Sequence, residues 1–215
     1  MIIAFDGNVY TGKTTLIDSL IKHYDYHKIS EYSNFFRESK INKCKGGYLS
    51  IQNKYLEIDV LRKNFINNNK INLLDRSFIS LTAHVWALYK IKIVDIRREY
   101  LKKLFFLMDN NNIIFPNLFV HITCNYKSAK VRYKQTERIS NAKKTLRYFI
   151  DFNYFHLIKL FNKRCSLFIP SLEINTDKNL ITNIIKVNEF INNNTNIQTI
   201  NKEKFKKILL SLLQQ

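Results

Sequence analysis

The chain has 215 residues, 46% of them hydrophobic, which is enough to bury one core and slightly more than a minimal domain needs. No run of about eighteen apolar residues exists to span a bilayer, and the first residues enter an apolar segment without a basic or Arg/Ser-rich leader, so a cytoplasmic protein with no membrane attachment is expected. The formal charge of +18 is dispersed rather than gathered in one arginine-rich block with interleaved aromatics, and it reads as compositional drift in an Asn-, Lys- and Ile-rich chain more than as a nucleic-acid surface.

Apolar runs alternate with stretches of helical period, the pattern of a parallel sheet covered by helices. In chain order the spacing predicts a strand over 2–5, a helix over 14–23, a strand over 26–30, a helix over 49–65 and a strand over 71–74. Helices over 78–89 and 95–108 follow, then a strand over 118–123, helices over 127–134 and 145–161, a strand over 172–175 and a helix over 180–191. The segment 201–213 puts Phe205, Ile208, Leu209 and Leu212 on one face and lysines on the other, which predicts a packing helix. Cys44, Cys124 and Cys165 form neither a CxxC pair nor an even set and are expected to be reduced thiols. His23 and His27 lack a third ligand and read as surface or loop residues. Phe78, His84, Trp86 and Tyr89 lie on an apolar-rich helix and read as core, with one aromatic of that region available to stack on a base.

The stretch DGNVYTGKTT satisfies GxxxxGK[ST] through Gly7, Gly12, Lys13 and Thr14, after a strand and before a helix, which is the context a phosphate-binding loop requires. In such a turn backbone N–H groups converge on phosphate oxygens, and the following helix adds its positive end. Lys13 supplies a point charge and Thr14 a hydroxyl for Mg²⁺. Two of the chain's four glycines occupy the two positions the loop needs, which argues against a chance match. Gly7, Asn8, Val9, Tyr10, Thr11, Gly12, Lys13, Thr14 and Thr15 are therefore the expected nucleotide-phosphate segment, ATP-binding if the chain is a kinase, in a cradle that GTPases, ATPases and small-molecule kinases share, with Mg²⁺ on Thr14 and either Mg²⁺ or a sugar hydroxyl on Asp75.

Three further features fall at the carboxyl edge of the strands, where a doubly wound sheet places its ligand crevice. Glu31 follows the second strand and is placed to accept a proton from a substrate hydroxyl, although a solvated loop acid would look the same. Asp75 and Arg76 end the third strand, suited to a metal-bound water or sugar hydroxyl and to a phosphoryl group in flight. Arg132, Lys134 and Arg138 form a cluster that can fold over phosphates as a lid, or simply make a solvated helix face in a chain this basic.

Taken together these stretches resemble the deoxynucleoside kinase family. DGNVYTGKTT is similar to that family's EGNxGxGKST loop, including Asn8; Glu31 falls at its Glu-Pro pair; Asp75-Arg76-Ser77 is similar to its [ED]RS motif. IQNKYLEIDVLRK resembles the helix with its base-reading glutamine, and the lid stretch and INTDKN continue the likeness to about residue 190. The resemblance implies a P-loop three-layer α/β sandwich, with a five-stranded parallel sheet, helices on both faces and a short lid. It implies one kinase domain over 1–192 with the lid at about 131–144, followed by an amphipathic helix within 193–215. Glu31 would be the general base for the 5′-hydroxyl, Arg76 would steady that oxygen and the phosphoryl group, and Gln52 would bind the base edge. Lys13 completes the catalytic set, with Arg132 and Arg138 as lid arginines on ATP. Substrate contacts are then Glu31, Gln52, Asp75 and Arg76; ATP and Mg²⁺ are the cofactors, the acceptor is a small molecule, and a homodimer is implied.

Departures from the pattern are Tyr10 for the second loop glycine, Tyr32 for the proline after the base and Thr136 for a lid arginine. Tyr10 is expected to leave the cradle intact while crowding the substrate side. Two rival readings stay open. DRSFISLTAH also resembles the DR[YH]xxSxxAY segment of thymidylate kinases, in which Arg76 would grip an acceptor monophosphate and no base would be needed. An inactive or nucleic-acid-binding relative is the third, motivated by the charge and the altered lid.

Overall fold

The structure, a computed structural model, describes residues 1–35, 47–140, 149, 151–197 and 202–214, without the side chains of 136–140, 212 and 214. Five strands, β1 (Ile2–Gly7), β2 (Tyr26–Ile29), β3 (Ile71–Asp75), β4 (Leu118–Thr123) and β5 (Ser171–Asn175), form one sheet in the order β2-β3-β1-β4-β5. Every pairing is parallel. Eight α-helices are described: α1 (Lys13–His23), α2 (Tyr48–Arg62), α3 (Phe78–Lys90), α4 (Arg97–Asp109), α5 (Tyr126–Ser140), α6 (Phe152–Cys165), α7 (Leu180–Asn192) and α8 (Lys202–Gln214).

Alternation along the strands divides the core in two, because successive side chains of a strand point to opposite faces. Ile3, Phe5, Leu73, Val120 and Ile122 meet Leu16, Ile17 and Leu20 of α1 and Ile184, Val187 and Ile191 of α7. Ala4, Leu74 and Phe119 face the other way, into a larger cluster built on α2, α3, α4, α6 and α8. With both faces covered, the central strands read as continuous apolar runs, as parallel sheets require. α8 joins the second cluster: Phe205 is fully buried and packs edge-on against Phe115 and Phe78, with ring centroids 5.3 and 5.7 Å apart.

The strands lie within a residue or two of their expected bounds. α6 differs: among the described residues it begins at Phe152, because Asp151 caps it by accepting from the Tyr154 backbone N–H at 2.9 Å. The earlier part of the helix expected from 145, residues 141–144 of the lid and Cys44 lie outside the described residues. Cys124 and Cys165 are free and buried, Trp86 is core, and His27 sits on β2 with its Nε2 2.9 Å from the Phe65 carbonyl.

β4 carries two polar side chains into the interior, His121 and Thr123. His121 is buried beside Lys159, and burial holds its imidazole down to about 4, Glu173 only partly offsetting this. The unfolded chain binds a proton between pH 6.5 and 4 that the folded chain refuses, so stability is retained above 6.5 and lost as pH falls toward 4. The loss attributable to His121 is on the order of 3 kcal/mol over that window. Denaturant melts from pH 7 to 4.5 should show a flatter stability profile for His121→Asn than for the wild type; parallel profiles would refute the assignment.

Candidate active site

The loop between β1 and α1 is shaped by close approach and by backbone handedness. A Cβ on Gly7 would stand 2.2 Å from the Ile122 carbonyl oxygen, so only glycine lets β1 end this near β4. Gly12 has φ 84°, a left-handed conformation that glycine enters without steric penalty. The turn closes on itself when Thr11 Oγ1 and Lys13 Nζ both donate to the Asn8 carbonyl. Asn8 turns its side chain away from the cradle, donating from Nδ2 to the Phe155 carbonyl of α6 at 2.7 Å, and so braces the loop against that helix.

Four charged groups meet at the strand ends. Arg76 Nε donates to Glu31 Oε1 at 2.7 Å and Arg76 Nη1 to the Gly7 carbonyl at 3.2 Å. Thr14 Oγ1 donates to Asp75 Oδ2 at 2.8 Å. Burial favours protonation of Glu31, but the adjacent Arg76 and Lys13 outweigh it and leave its carboxyl below the usual range. Asp75 moves the other way, raised by burial and by Glu31. Burial and the repulsion of Arg76 pull the Lys13 ammonium down to about 7, against the attraction of Glu31, Asp75 and Asp6.

Beside this cluster opens a cavity of about 600 Å³, within the size range of small-molecule sites. Gly7, Val9, Glu31 and Arg76 line it at the loop end, with Gln52, Tyr55, Leu81, His84, Phe149 and Tyr154 also on its wall. Gln52 is 2% exposed, and its Oε1 is buried with no hydrogen-bond partner among the described residues, an acceptor open to a donor. The arrangement sets a carboxylate, a cation and a buried amide on one cavity wall, beside the loop that joins β1 to α1.

The sequence profile of the deoxynucleoside kinases matches residues 3–199. The chain belongs to the deoxynucleoside kinase family. It is thus a phosphotransferase, a kinase acting on nucleosides. Among solved structures, deoxyadenosine kinase from M. mycoides with the products dCMP and dCDP superposes with a TM-score of 0.68 at 18% identity, covering 90% of this chain and 100% of that one. The same enzyme with dATP gives 0.67 at 19% identity over 89% and 100%. A thymidylate kinase from Candida albicans gives 0.59 at 14% identity over 93% and 97%. At such identities these likenesses show a shared fold. No curated protein sequence matches the chain.

Several site expectations of this kinase need correction. Tyr10 does not crowd the substrate side: with φ 59° its ring turns toward α5, edge-on to Tyr133 at a centroid distance of 5.3 Å and beside Cys124, Ala129 and Phe155. Arg132 does not line the cavity. Its Nη1 donates to Thr176 Oγ1 at 3.0 Å and to the Tyr10 carbonyl, and its Nη2 to the Thr176 carbonyl at 3.2 Å and Asp177 Oδ1 at 3.4 Å. It therefore pins α5 to the phosphate loop and to the turn after β5. The side chains of Arg138 and Thr136 lie outside the described residues. Thr14 and Thr15 are exposed at the start of α1, and Tyr32 is buried where the resemblance has proline.

The structure also gives places to residues that the quoted motifs contain but to which the sequence assigned no role. Asp6, fully buried, accepts from Ser77 N at 2.9 Å, from Ser77 Oγ at 2.6 Å and from Ser80 Oγ. Its place as the last acid of an apolar strand was the available signal. His84 lies 2.6 Å from the Tyr154 hydroxyl through Nδ1 and stacks on Phe149; burial and Arg76 hold it down to about 4, so it is neutral near pH 7.

Mg²⁺ fits the Thr14 and Asp75 pair, because Asp75 Oδ1 is buried without a partner among the described residues and both residues offer the hard oxygen donors that ion takes. Among the described residues no group of three or more His, Cys, Asp or Glu could hold a metal alone, so phosphate oxygens and water would complete the coordination.

A lysine with a pKa of about 7 is mostly neutral at pH 8 and charged below pH 6. A triphosphate beside it favours the charged form, so ATP binding at pH 8 should take up on the order of one proton. Titration calorimetry in two buffers of different ionisation enthalpy measures this directly. Uptake near zero at pH 8 would mean that Lys13 is already charged in the free protein.

Proposed function

We propose that the chain transfers the γ-phosphoryl group of ATP to the 5′-hydroxyl of a deoxynucleoside. The observation that carries this reading is the Glu31–Arg76 pair at 2.7 Å on the wall of the cavity that also holds Gln52. Glu31, kept ionised by its two cationic neighbours, accepts the hydroxyl proton as the 5′-oxygen bonds to the γ-phosphorus and the bond to the bridging oxygen of ADP breaks. Arg76 stabilises negative charge on the transferring group, Lys13 and the loop amides hold the β- and γ-phosphates, and Gln52 hydrogen-bonds the base. Thr14 and Asp75 would hold magnesium, whose charge would offset that of the phosphates. Most of the rate enhancement is then positioning and electrostatics.

A monophosphate acceptor suits this geometry less well. Its dianion would have to displace Glu31 from Arg76, and Ser80, which the thymidylate kinase segment has in register, is spent on Asp6. The retained cluster of Lys13, Glu31, Asp75 and Arg76 also supports an active kinase over an inactive or nucleic-acid-binding relative. In line with the resemblance, the proposal is of a homodimer acting on a small molecule in the cytoplasm. Among the described residues no helix is long and apolar enough to cross a membrane.

Glu31→Gln should lower kcat on deoxynucleosides by about 10²- to 10⁴-fold while leaving the melting temperature nearly unchanged. Because its neighbours keep the Glu31 carboxyl ionised to lower pH than an ordinary glutamate, activity should be lost on acidification only below the ordinary glutamate range. Full activity of Glu31→Gln on deoxynucleosides would remove the base assignment.

A further inference from the structure

The Glu31–Arg76 pair is only as accurate as the two backbones that carry it. Arg76 has φ 65°, a left-handed conformation unusual for a residue with a Cβ. Such conformations persist only where the surroundings over-determine them. One restraint is the turn itself, where Arg76 N donates to the Phe5 carbonyl at 3.1 Å and Asp6 gathers Ser77 and Ser80. The other comes from α2. Arg62, fully buried, donates from Nη2 to both the Asp75 carbonyl at 2.8 Å and the Arg76 carbonyl at 3.0 Å.

Arg62 is itself held by a charge and a ring. Its Nη1 donates to Asp59 Oδ1 at 2.8 Å, and its guanidinium lies 4.6 Å from the centre of the Tyr32 ring. The Tyr32 hydroxyl donates to the other oxygen, Asp59 Oδ2, at 3.0 Å. Tyr32 directly follows Glu31 in the chain. The three side chains thus join the backbone of the proposed base to the backbone of Arg76, and Asp59 lies seven residues, about two helical turns, after Gln52 on the same helix. A buried ion pair adds little net stability over well-packed apolar residues, because desolvation offsets the Coulombic gain. What this one contributes is position.

We infer that Tyr32, Asp59 and Arg62 form a buried positioning triad that sets the register of Glu31 against Arg76 and ties both to the helix bearing Gln52. The inference rests on the roles given above to Glu31 and Arg76. None of the three touches the reacting atoms; they act through the residues they hold. The substitution of proline by Tyr32 becomes intelligible, since its ring and hydroxyl are two of the triad's contacts.

The test is a double-mutant cycle. Arg62→Met removes a buried charge partner and can prevent folding, so Tyr32→Phe and Asp59→Asn, which preserve shape, carry the measurement. Steady-state kinetics and melting temperatures are read for each in the wild-type and Arg76→Lys backgrounds. Tyr32→Phe should lower kcat about tenfold with the KM for ATP unchanged, and by less than about twofold once Arg76 is lysine, because the two losses share one cause. Equal losses in the two backgrounds, or wild-type kcat in both triad variants with only a lowered melting temperature, would overturn the triad. An Arg76→Lys variant with wild-type kcat would instead overturn the role of Arg76 and the inference with it.

Discussion

Arg76 occupies a left-handed backbone conformation at the end of β3, which disfavours a residue with a Cβ by about 1–2 kcal/mol, and the order of the site depends on how that turn is held. Asp6 grips it from β1 through the Ser77 amide and the Ser77 and Ser80 hydroxyls, while Arg62 grips its two carbonyls from α2. Held this way, Arg76 meets Glu31 on one side and the Gly7 carbonyl on the other. The phosphate loop, the third strand and the loop after the second strand are thereby locked together.

Electrostatics explains why the arrangement is poised for an anion. Lys13 is buried and Arg76 half-buried beside Glu31 and Asp75, and each carboxylate already has a partner in Arg76 or Thr14. Burial together with Arg76 lowers Lys13 to about 7, a sign that its ammonium is short of negative charge in the free protein. Under the proposed function a triphosphate would supply that charge in a site whose dipoles are already oriented, so little reorganisation would accompany the reaction. The glycine economy of the chain serves the same end, since Gly7 permits the approach of β1 to β4 and Gly12 the turn into α1.

Much of the fold was legible in the chain because the sheet is parallel and covered on both faces, which gives apolar runs such as 2–5. The loop and the Asp75-Arg76 pair were legible for a related reason: backbone chemistry at a strand end dictates residue types at fixed spacing. Side-chain direction was not. Nothing local to DGNVYTGKTT says that Asn8 will reach α6 or that Tyr10 will turn to Tyr133, since both depend on how α5 and α6 pack over the loop. Asp6, Asp59 and Arg62 passed unmarked as single charges in apolar or amphipathic stretches, and only contacts distant in sequence give them meaning. The Arg132 cluster was ambiguous in a chain with a net charge of +18, and its pairing with Thr176 and Asp177 emerges only when β5 is in place.

The central claim is that the cavity presents a carboxylate base to a neutral hydroxyl rather than a cation to an acceptor phosphate. Labelled transfer from ATP in the presence of Mg²⁺, run against the four deoxynucleosides and separately against their 5′-monophosphates, tests it directly. The account predicts labelled 5′-monophosphate from at least one deoxynucleoside. Labelled diphosphate from the monophosphates, with no product from any deoxynucleoside, would contradict it.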